Sequence, residues 1–139
     1  MTKKTQKQQF NLKEFLEKAD IPAIPITISG KDYIMLVDTG SDASYLDSNV
    51  LNKIQKNLLG YQDEIVGGTG IKDKGSAVYE VKFNCGDKEF TEEFTENNFT
   101  HIFDFVQQNT GIRLSGILGT RFLVKNKCIL DFDELVFYL

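Results

Sequence analysis

Hydrophobic and polar residues alternate over several short segments of this chain. Ile24, Ile26 and Ile28 occupy every second position of one segment, and an apolar run at residues 33–37 follows a turn that begins at Gly30. A period of two places alternate side chains on one face of a strand, and a glycine among polar residues is typical of a turn. The pattern therefore predicts a β-hairpin whose second strand ends just before Asp38.

The same criteria predict further strands at 76–83, 89–94, 99–106, 128–132 and 135–138. A main helix is predicted to begin at Asp47 or Ser48 and to end at Gly60, because the apolar residues between them are spaced to share one face. Shorter helices are predicted around residues 10–16 and 120–124. About eight short strands with one main helix indicate a mostly β fold of the barrel or sandwich type.

The length and charge of the chain predict one soluble domain behind a polar start. A chain of 139 residues buries roughly two thirds of its unfolded surface in a single core. Residues 1–20 contain five lysines and three carboxylates, so the net charge of this segment is +2 and that of the remainder is −6. We expect residues 1–20 to be a polar N-terminal extension and residues 21–139 to be the domain. Because the domain carries no basic stripe, the sequence argues against nucleic-acid binding.

The histidine and the cysteines predict neither a metal site nor a catalytic triad. His101 is the only histidine, and it lies between aromatic residues, where a partly buried structural role is expected. Cys85 and Cys128 form no Cys-x-x-Cys or zinc-binding pattern, and we expect them to be free thiols that pack as small hydrophobic residues.

No stretch of the sequence is long and apolar enough to span a bilayer. The lysines of the N-terminus are not followed by the hydrophobic segment of a signal peptide. We therefore expect a cytoplasmic protein without a membrane partner. A signal peptide removed ahead of Met1 would leave no trace, so this point stays open.

The sequence offers one carboxylate in the setting of a catalytic acid. Asp38-Thr39-Gly40 follows directly behind the apolar run 33–37. Alone this tripeptide is weak evidence, because average composition produces it in roughly a few per cent of chains of this length. The chemistry that it suggests needs two carboxylates about 3 Å apart, which share one proton because they cannot both ionise easily.

Residues 35–44 resemble the active-site loop of the retropepsin-like (clan AA) aspartic proteases, in which apolar residues precede Asp-Thr/Ser-Gly and Ser or Ala follows it. Three further elements come in the order of that family. The glycine-rich segment 66–70 resembles its flap, residues 117–123 its apolar-apolar-Gly element and short helix, and residues 128–132 the next strand. The resemblance covers residues 22–139. The alternative interpretation is that 38–41 and 67–70 are an ordinary polar turn and loop.

The resemblance implies a retropepsin-like acid protease barrel or sandwich with one main helix and a short C-terminal helix. It implies an endopeptidase that cleaves polypeptides and needs no metal or organic cofactor. The implied site residues are the catalytic Asp38; Thr39, Gly40 and Ser41 in support of the loop; Gly40, Asp42, Gly68, Thr69 and Gly70 at the substrate; and Ile117, Leu118 and Gly119 beside the site. Thr39 is expected to bond across to the partner loop.

Two of these residues carry more specific expectations. We expect the Ser41 hydroxyl to donate to the Asp38 carboxylate, in which case Ser41→Ala shifts the acid limb of the pH–rate profile upward. Asp42 either contacts the substrate backbone or pairs with Arg121, and the sequence leaves both possibilities open because Thr120 stands between Gly119 and the arginine.

The second carboxylate has no counterpart in the same chain, because Asp131, Asp104 and Asp133 lack the Thr-Gly turn. The sequence therefore predicts the single-Asp-Thr-Gly, homodimeric type, in which a two-fold axis brings the same loop of two copies together. The apolar C-terminus, 135–139, is either an interface strand or an ordinary core edge strand. The alternative function is a dimeric module of the same fold that binds peptides or protein partners without cleaving them.

Overall fold

The computed structural model describes residues 7–66 and 71–139, in which ten strands and four helices are assigned. The strands are β1 (Gln9–Asn11), β2 (Ala23–Ile28), β3 (Lys31–Val37), β4 (Tyr45–Asp47), β5 (Asn57–Val66), β6 (Ile71–Cys85), β7 (Lys88–Asn97), β8 (Leu114–Leu118), β9 (Ile129–Asp131) and β10 (Val136–Tyr138). The helices are α1 (Lys13–Ala19), α2 (Ser48–Leu51), α3 (Thr100–Thr110) and α4 (Thr120–Lys125). The prediction of a mostly β fold is confirmed.

Seven strands form a sheet that closes on itself. Their order is β2-β3-β8-β4-β7-β6-β5, and an additional pairing of β2 with β6 joins Thr27 to Asn84 and closes a barrel. The predicted hairpin of β2 and β3 is present, and β3 then pairs in parallel with β8. Successive side chains of a strand point to opposite faces, so every second one faces inward and fills the barrel. Ile24, Ile26 and Met35 are almost fully buried. The parallel pair β3–β8 positions the candidate site.

A second, three-stranded sheet joins the two ends of the chain in the order β1-β10-β9. Gln8 and Leu139 exchange backbone hydrogen bonds of 2.9 and 3.0 Å, and Leu12, just behind β1, is completely buried. The sequence placed these N-terminal residues in a polar extension. The structure packs residues 9–19 against the rest of the chain as β1 and α1, with Leu12 in the same core cluster as Ile24.

The C-terminal strand β10 lies in the middle of this sheet, with β1 on one side and β9 on the other. Phe137 and Leu139 are buried. The two alternatives that the sequence left open were an interface strand and an edge strand. Within one chain β10 is not an edge strand, because its backbone is paired on both sides.

Three secondary-structure predictions were wrong. Residues 99–106 form most of helix α3 and not a strand: Phe99, Phe103 and Val106 are spaced to share one helical face, which packs in a second core cluster. The loop predicted at 107–113 is largely the end of the same helix. Gly111, with a φ of 78°, follows its last turn.

The main helix predicted between Asp47 and Gly60 is limited to the four residues of α2. Leu58 belongs to β5, where its backbone pairs with β6, and Gly60 lies at an irregularity of that pairing rather than at a helix end. The Asp47 side chain caps no helix here; its Oδ1 accepts the N–H of Phe99 at 2.8 Å. His101, predicted to be partly buried, is exposed on α3. In the part of the chain that is described, no helix has the length and apolar character needed to cross a membrane.

Candidate active site

Asp38 lies where β3 ends beside the end of β8. Val37 pairs with Leu118, and the next backbone N–H, that of Asp38, donates to the Leu118 carbonyl at 3.0 Å. The Asp38 side chain is half-buried, and its Oδ1 accepts the N–H of Gly40 at 2.9 Å. The turn thus holds one carboxylate oxygen in place and presents the group at the end of a parallel pair of strands.

Gly40 fits this turn because it has no side chain. A Cβ at this position would lie 3.2 Å from Asp38 Oδ1, which is closer than most real contacts of a Cβ with an oxygen. The glycine therefore allows its own N–H to approach the carboxylate.

The Asp38 loop is bonded to the segment that follows β8. The N–H of Thr120 donates to the carbonyl of Ser41 at 2.7 Å, and the N–H of Arg121 donates to the carbonyl of Asp42 at 3.0 Å. The Thr120 hydroxyl donates to the carbonyl of Thr39 at 3.0 Å. We call residues 38–44 and 117–121 the loop crossing. It brings together the Asp-Thr-Gly turn and the Ile-Leu-Gly element that the sequence singled out.

Gly119 and Ser44 form the buried centre of the loop crossing. The Gly119 N–H donates to Ser44 Oγ at 3.0 Å, and both residues are buried. A Cβ at Gly119 would collide with the carbonyl of Ala43 and would lie 2.9 Å from the carbonyl oxygen of Ser41. Sequence reasoning identified Gly119 but assigned no role to Ser44 or Thr120. The available signal was that both are hydroxyl residues inside the two matched motifs.

The prediction for the Ser41 hydroxyl is wrong in this chain. Ser41 Oγ donates to the carbonyl of Ala43 at 2.7 Å. A serine hydroxyl has one hydrogen to donate, so this bond leaves none for Asp38.

Of the two alternatives for Asp42, the ion pair with Arg121 is present. Its Oδ2 lies 3.4 Å from Arg121 Nη2, and its Oδ1 accepts the N–H of Ala43 at 2.7 Å. Both charged side chains are mostly exposed, so the ion pair contributes little to stability. Thr39 is also exposed, and the contact described for it is made by its carbonyl.

The predicted flap lies between β5 and β6. Their backbones pair in antiparallel register as far as Val66 and Ile71. The predicted substrate contacts Gly68, Thr69 and Gly70 lie outside the described residues.

A cavity of about 210 Å³ opens beside the loop crossing. It is lined by Ala43, Ser44, Gln62, Val78, Glu92, Glu93, Thr95, Arg121 and Phe122. Another cavity, of about 740 Å³, lies between the end of α2 and strands β6 and β7 and contains none of the predicted site residues. Within residues 7–66 and 71–139, no cluster of three or more His, Cys, Asp or Glu side chains is arranged to hold a metal ion.

Comparison with known proteins supports the fold. No protein-family model matches the sequence, and no curated protein matches it. Among solved structures, the chain is similar to the EIAV protease complexed with the inhibitor HBY-793, with a TM-score of 0.52 and 19% sequence identity over 81% of this chain and 93% of that one. At this identity the likeness concerns the fold, which is retropepsin-like.

Proposed function

We propose that this chain is an aspartic endopeptidase that acts as a homodimer, with Asp38 of each copy in one shared site. The observation that carries the proposal is the position of Asp38: a half-buried carboxylate at the end of β3, with Oδ1 held by the Gly40 N–H at 2.9 Å. The retropepsin-like fold and the bonds from Thr120 and Arg121 to the Asp38 loop support it.

The other carboxylates considered from the sequence have different partners. Asp104 pairs with Arg113, and Asp131 Oδ1 accepts the N–H groups of Asp133 and Glu134 at 3.0 Å. Each is therefore engaged with a partner in its own segment of the chain. A second copy of Asp38 is the source of the second carboxylate that fits the chemistry, because a two-fold axis next to this loop sets two identical loops face to face.

The proposed reaction is general acid–base hydrolysis. The ionised carboxylate removes a proton from a water molecule, and the water oxygen attacks the carbonyl carbon of the peptide bond. The protonated carboxyl of the other copy donates its proton to the carbonyl oxygen, which gives a neutral tetrahedral intermediate. When the C–N bond breaks, the leaving nitrogen takes the proton that the first carboxylate removed from water, and the second carboxylate takes a proton from a hydroxyl of the intermediate, so the pair again shares one. No covalent enzyme adduct forms, and neither a metal nor an organic cofactor is required.

The test compares the wild-type protein with Asp38→Asn on a peptide library, across roughly pH 3–7, where carboxylates titrate. Asp20→Asn is the matched control, because Asp20 is exposed at the end of α1 in a left-handed conformation that asparagine also adopts readily. We expect Asp38→Asn to lose at least about a hundredfold in cleavage rate and Asp20→Asn to cleave as the wild type does. Equal cleavage by all three proteins would overturn the proposal. Peptide binding without cleavage by the wild type would favour the non-catalytic binding module.

A further inference from the structure

A polar cavity lies at the ends of β3 and β8 that are remote from Asp38. Its volume is about 300 Å³, and its walls come from the first residues of β3, from helix α2 with its flanking residues, and from the residues that begin β8. Tyr33 in its wall precedes Asp38 by five residues, which is roughly 17 Å along an extended strand. We call it the α2–β8 cavity. The proposed function makes no use of it.

Two buried oxygen atoms in its wall have no hydrogen-bond partner within residues 7–66 and 71–139. Asp47 is 1% exposed, and its carboxylate bonds only the Phe99 N–H there, through Oδ1 at 2.8 Å. Ser115 is 6% exposed, and its hydroxyl makes no bond in the described part of the chain. No fully enclosed side-chain oxygen or nitrogen of these residues lacks a partner, so Asp47 Oδ2 and Ser115 Oγ face the cavity. Buried polar atoms are normally bonded, so these two oxygens mark a place for a polar ligand.

The rim of the α2–β8 cavity carries two lysines. The side chains of Lys31 and Lys53 line the cavity, and both are exposed. The Lys53 ammonium forms no ion pair with the described residues, and the Lys31 ammonium lies 5.5 Å from the centre of the Tyr33 ring. Neither ammonium is therefore neutralised by a carboxylate in the part of the chain that is described.

The other two charged side chains of the lining already have partners. Arg113 is paired with Asp104, and the Asp32 carboxylate accepts the Thr27 hydroxyl at 2.7 Å. The groups left for a ligand are therefore a buried carboxylate with a hydroxyl, and two exposed ammonium groups at the rim.

We propose that the α2–β8 cavity binds a free amino acid, with its ammonium group at Asp47 and Ser115 and its carboxylate at the two rim lysines. An ammonium group supplies the donors that the buried oxygens lack, and hydrogen bonds between charged groups are the stronger ones. A purely anionic ligand would face the unpaired oxygen of Asp47, and a purely cationic one would face two lysines. A zwitterion is complementary to both sets of groups.

The size and the apolar part of the cavity fit the same class of ligand. Tyr33, Val50 and Leu114 are buried and line it, so an aliphatic side chain has apolar surface to pack against. Small-molecule sites combine apolar walls with a few converging polar groups, and the volume of this cavity is at the lower end of their range. A ligand as small as an amino acid is therefore expected.

The test is an NMR titration of the isotope-labelled, full-length protein with three probes of one carbon skeleton. L-leucine carries both charges, isoamylamine carries only the ammonium group and isocaproate carries only the carboxylate. We expect a dissociation constant on the order of 1 mM for L-leucine and values at least about tenfold higher for the other two. The amide signals of Ser115 and Lys53 are expected to shift.

Two variants separate the two ends of the ligand. Asp47→Asn keeps an acceptor for the Phe99 N–H but removes the charge, so L-leucine is expected to bind at least about tenfold more weakly and isocaproate no more weakly. Lys53→Met is expected to weaken L-leucine about threefold, as for an exposed ion pair, and to leave isoamylamine unchanged. Lys18→Met is the matched control, because Lys18 is exposed on α1 and does not line the cavity.

The outcomes that overturn the inference are specific. Isoamylamine or isocaproate that binds as tightly as L-leucine would show that the site does not recognise a zwitterion. Absence of binding by L-leucine up to about 20 mM, or shifts confined to other parts of the chain, would remove the site itself. If Asp47→Asn fails to fold, Lys53→Met still decides, because an exposed lysine can be replaced without loss of the core: equal L-leucine affinity in Lys53→Met and Lys18→Met would contradict the assignment of the carboxylate.

Discussion

The loop crossing and the three-stranded sheet both join segments that are far apart in sequence, but they leave different groups exposed. The loop crossing bonds Thr120 and Arg121 to the Asp38 loop through backbone groups, while the carboxylate of Asp38 stays half-exposed. The central strand of the three-stranded sheet buries Phe137 and Tyr138, and Leu12 is buried directly behind β1. The comparison separates a hydrogen-bonded frame that leaves one carboxylate open to solvent from a packed frame that holds the chain ends.

The largest effect is expected from filling the space at Gly119. In Gly119→Ala, the added Cβ meets the backbone carbonyls of Ala43 and Ser41, which cannot move without opening the loop crossing. We expect a loss of about 3 kcal/mol or more in the free energy of unfolding, together with loss of cleavage. Urea titration and a cleavage assay measure the two effects.

The control for this substitution is Gly111→Asn. Gly111 also has a backbone role, but nothing lies within 4 Å of the position of its Cβ, and asparagine tolerates its left-handed conformation. We expect a cost below about 1 kcal/mol for this variant. Equal costs for the two glycines would show that the fit of Gly119 between the loops is unimportant.

The next-largest loss of stability is expected at Leu12, and its measurement tests whether the N-terminal residues belong to the core. Leu12 is completely buried behind β1, so Leu12→Ala is expected to lower the free energy of unfolding by about 2–5 kcal/mol. Leu58→Ala is the control, because Leu58 is 53% exposed on β5; its expected cost is below about 1 kcal/mol. A mobile N-terminal segment would instead give two similar, small losses in a urea titration.

The two cysteines, one at the end of β6 and one just before β9, report on burial without any mutation. Burial raises the pKa of the Cys85 thiol to about 12, with a further contribution from nearby Cys128. Burial raises the pKa of Cys128 to about 11, although Lys7 and Lys88 act in the opposite direction. Only the thiolate reacts with alkylating reagents, so both cysteines are expected to react slowly in the folded protein.

The expected slowing of the Cys128 reaction follows from its pKa, which rises from 9.0 to about 11. At about pH 8 this lowers the thiolate fraction by a factor of about 100 relative to the unfolded chain, because each pKa unit is tenfold. Labelling by iodoacetamide, followed by mass spectrometry, is expected to accelerate as the pH approaches 11 and to be fast at pH 8 in urea. Fast labelling of folded Cys128 near pH 8 would show that the segment before β9 opens readily.

A smaller effect is expected at the hydroxyl inside the loop crossing. Ser44→Ala leaves the buried N–H of Gly119 without the acceptor that it has at 3.0 Å. An unpaired buried donor costs about 1–3 kcal/mol. Ser44→Cys retains a weak acceptor of similar shape and is expected to lose less. Equal unfolding midpoints for the wild type and both variants would contradict the role given to this bond.

The sequence predicted the β2–β3 hairpin, the placement of Asp38 at a strand end and the two segments of the loop crossing, because each is encoded in a few neighbouring residues. It did not predict α3, because the aromatic residues of 99–106 fit either a strand or a helix until their partners are known. The helix predicted between Asp47 and Gly60 was too long for a related reason. Leu58 extends the helical spacing, but its backbone takes part in the β5–β6 ladder.

The hydrogen-bond partners of the polar side chains could not be predicted from the sequence either. Asp47 stands where a helix cap is expected, yet it bonds Phe99, which is far along the chain. The burial of Leu12 depends on β10, which is the last strand in chain order. In each case a long-range contact decided between locally equivalent alternatives.

The smallest effect is expected at Ser41, where the structure reverses the earlier expectation. Ser41 Oγ donates to Ala43, not to Asp38, so Ser41→Ala removes one hydrogen bond between a hydroxyl and a carbonyl. We expect about 1 kcal/mol less stability and an acid limb of the pH–rate profile that does not move. The measurement is the cleavage rate of the wild type and of Ser41→Ala between roughly pH 3 and pH 7. An upward shift of the acid limb would mean that the hydroxyl turns to Asp38 in the active dimer, and that the loop crossing is less rigid than its backbone bonds indicate.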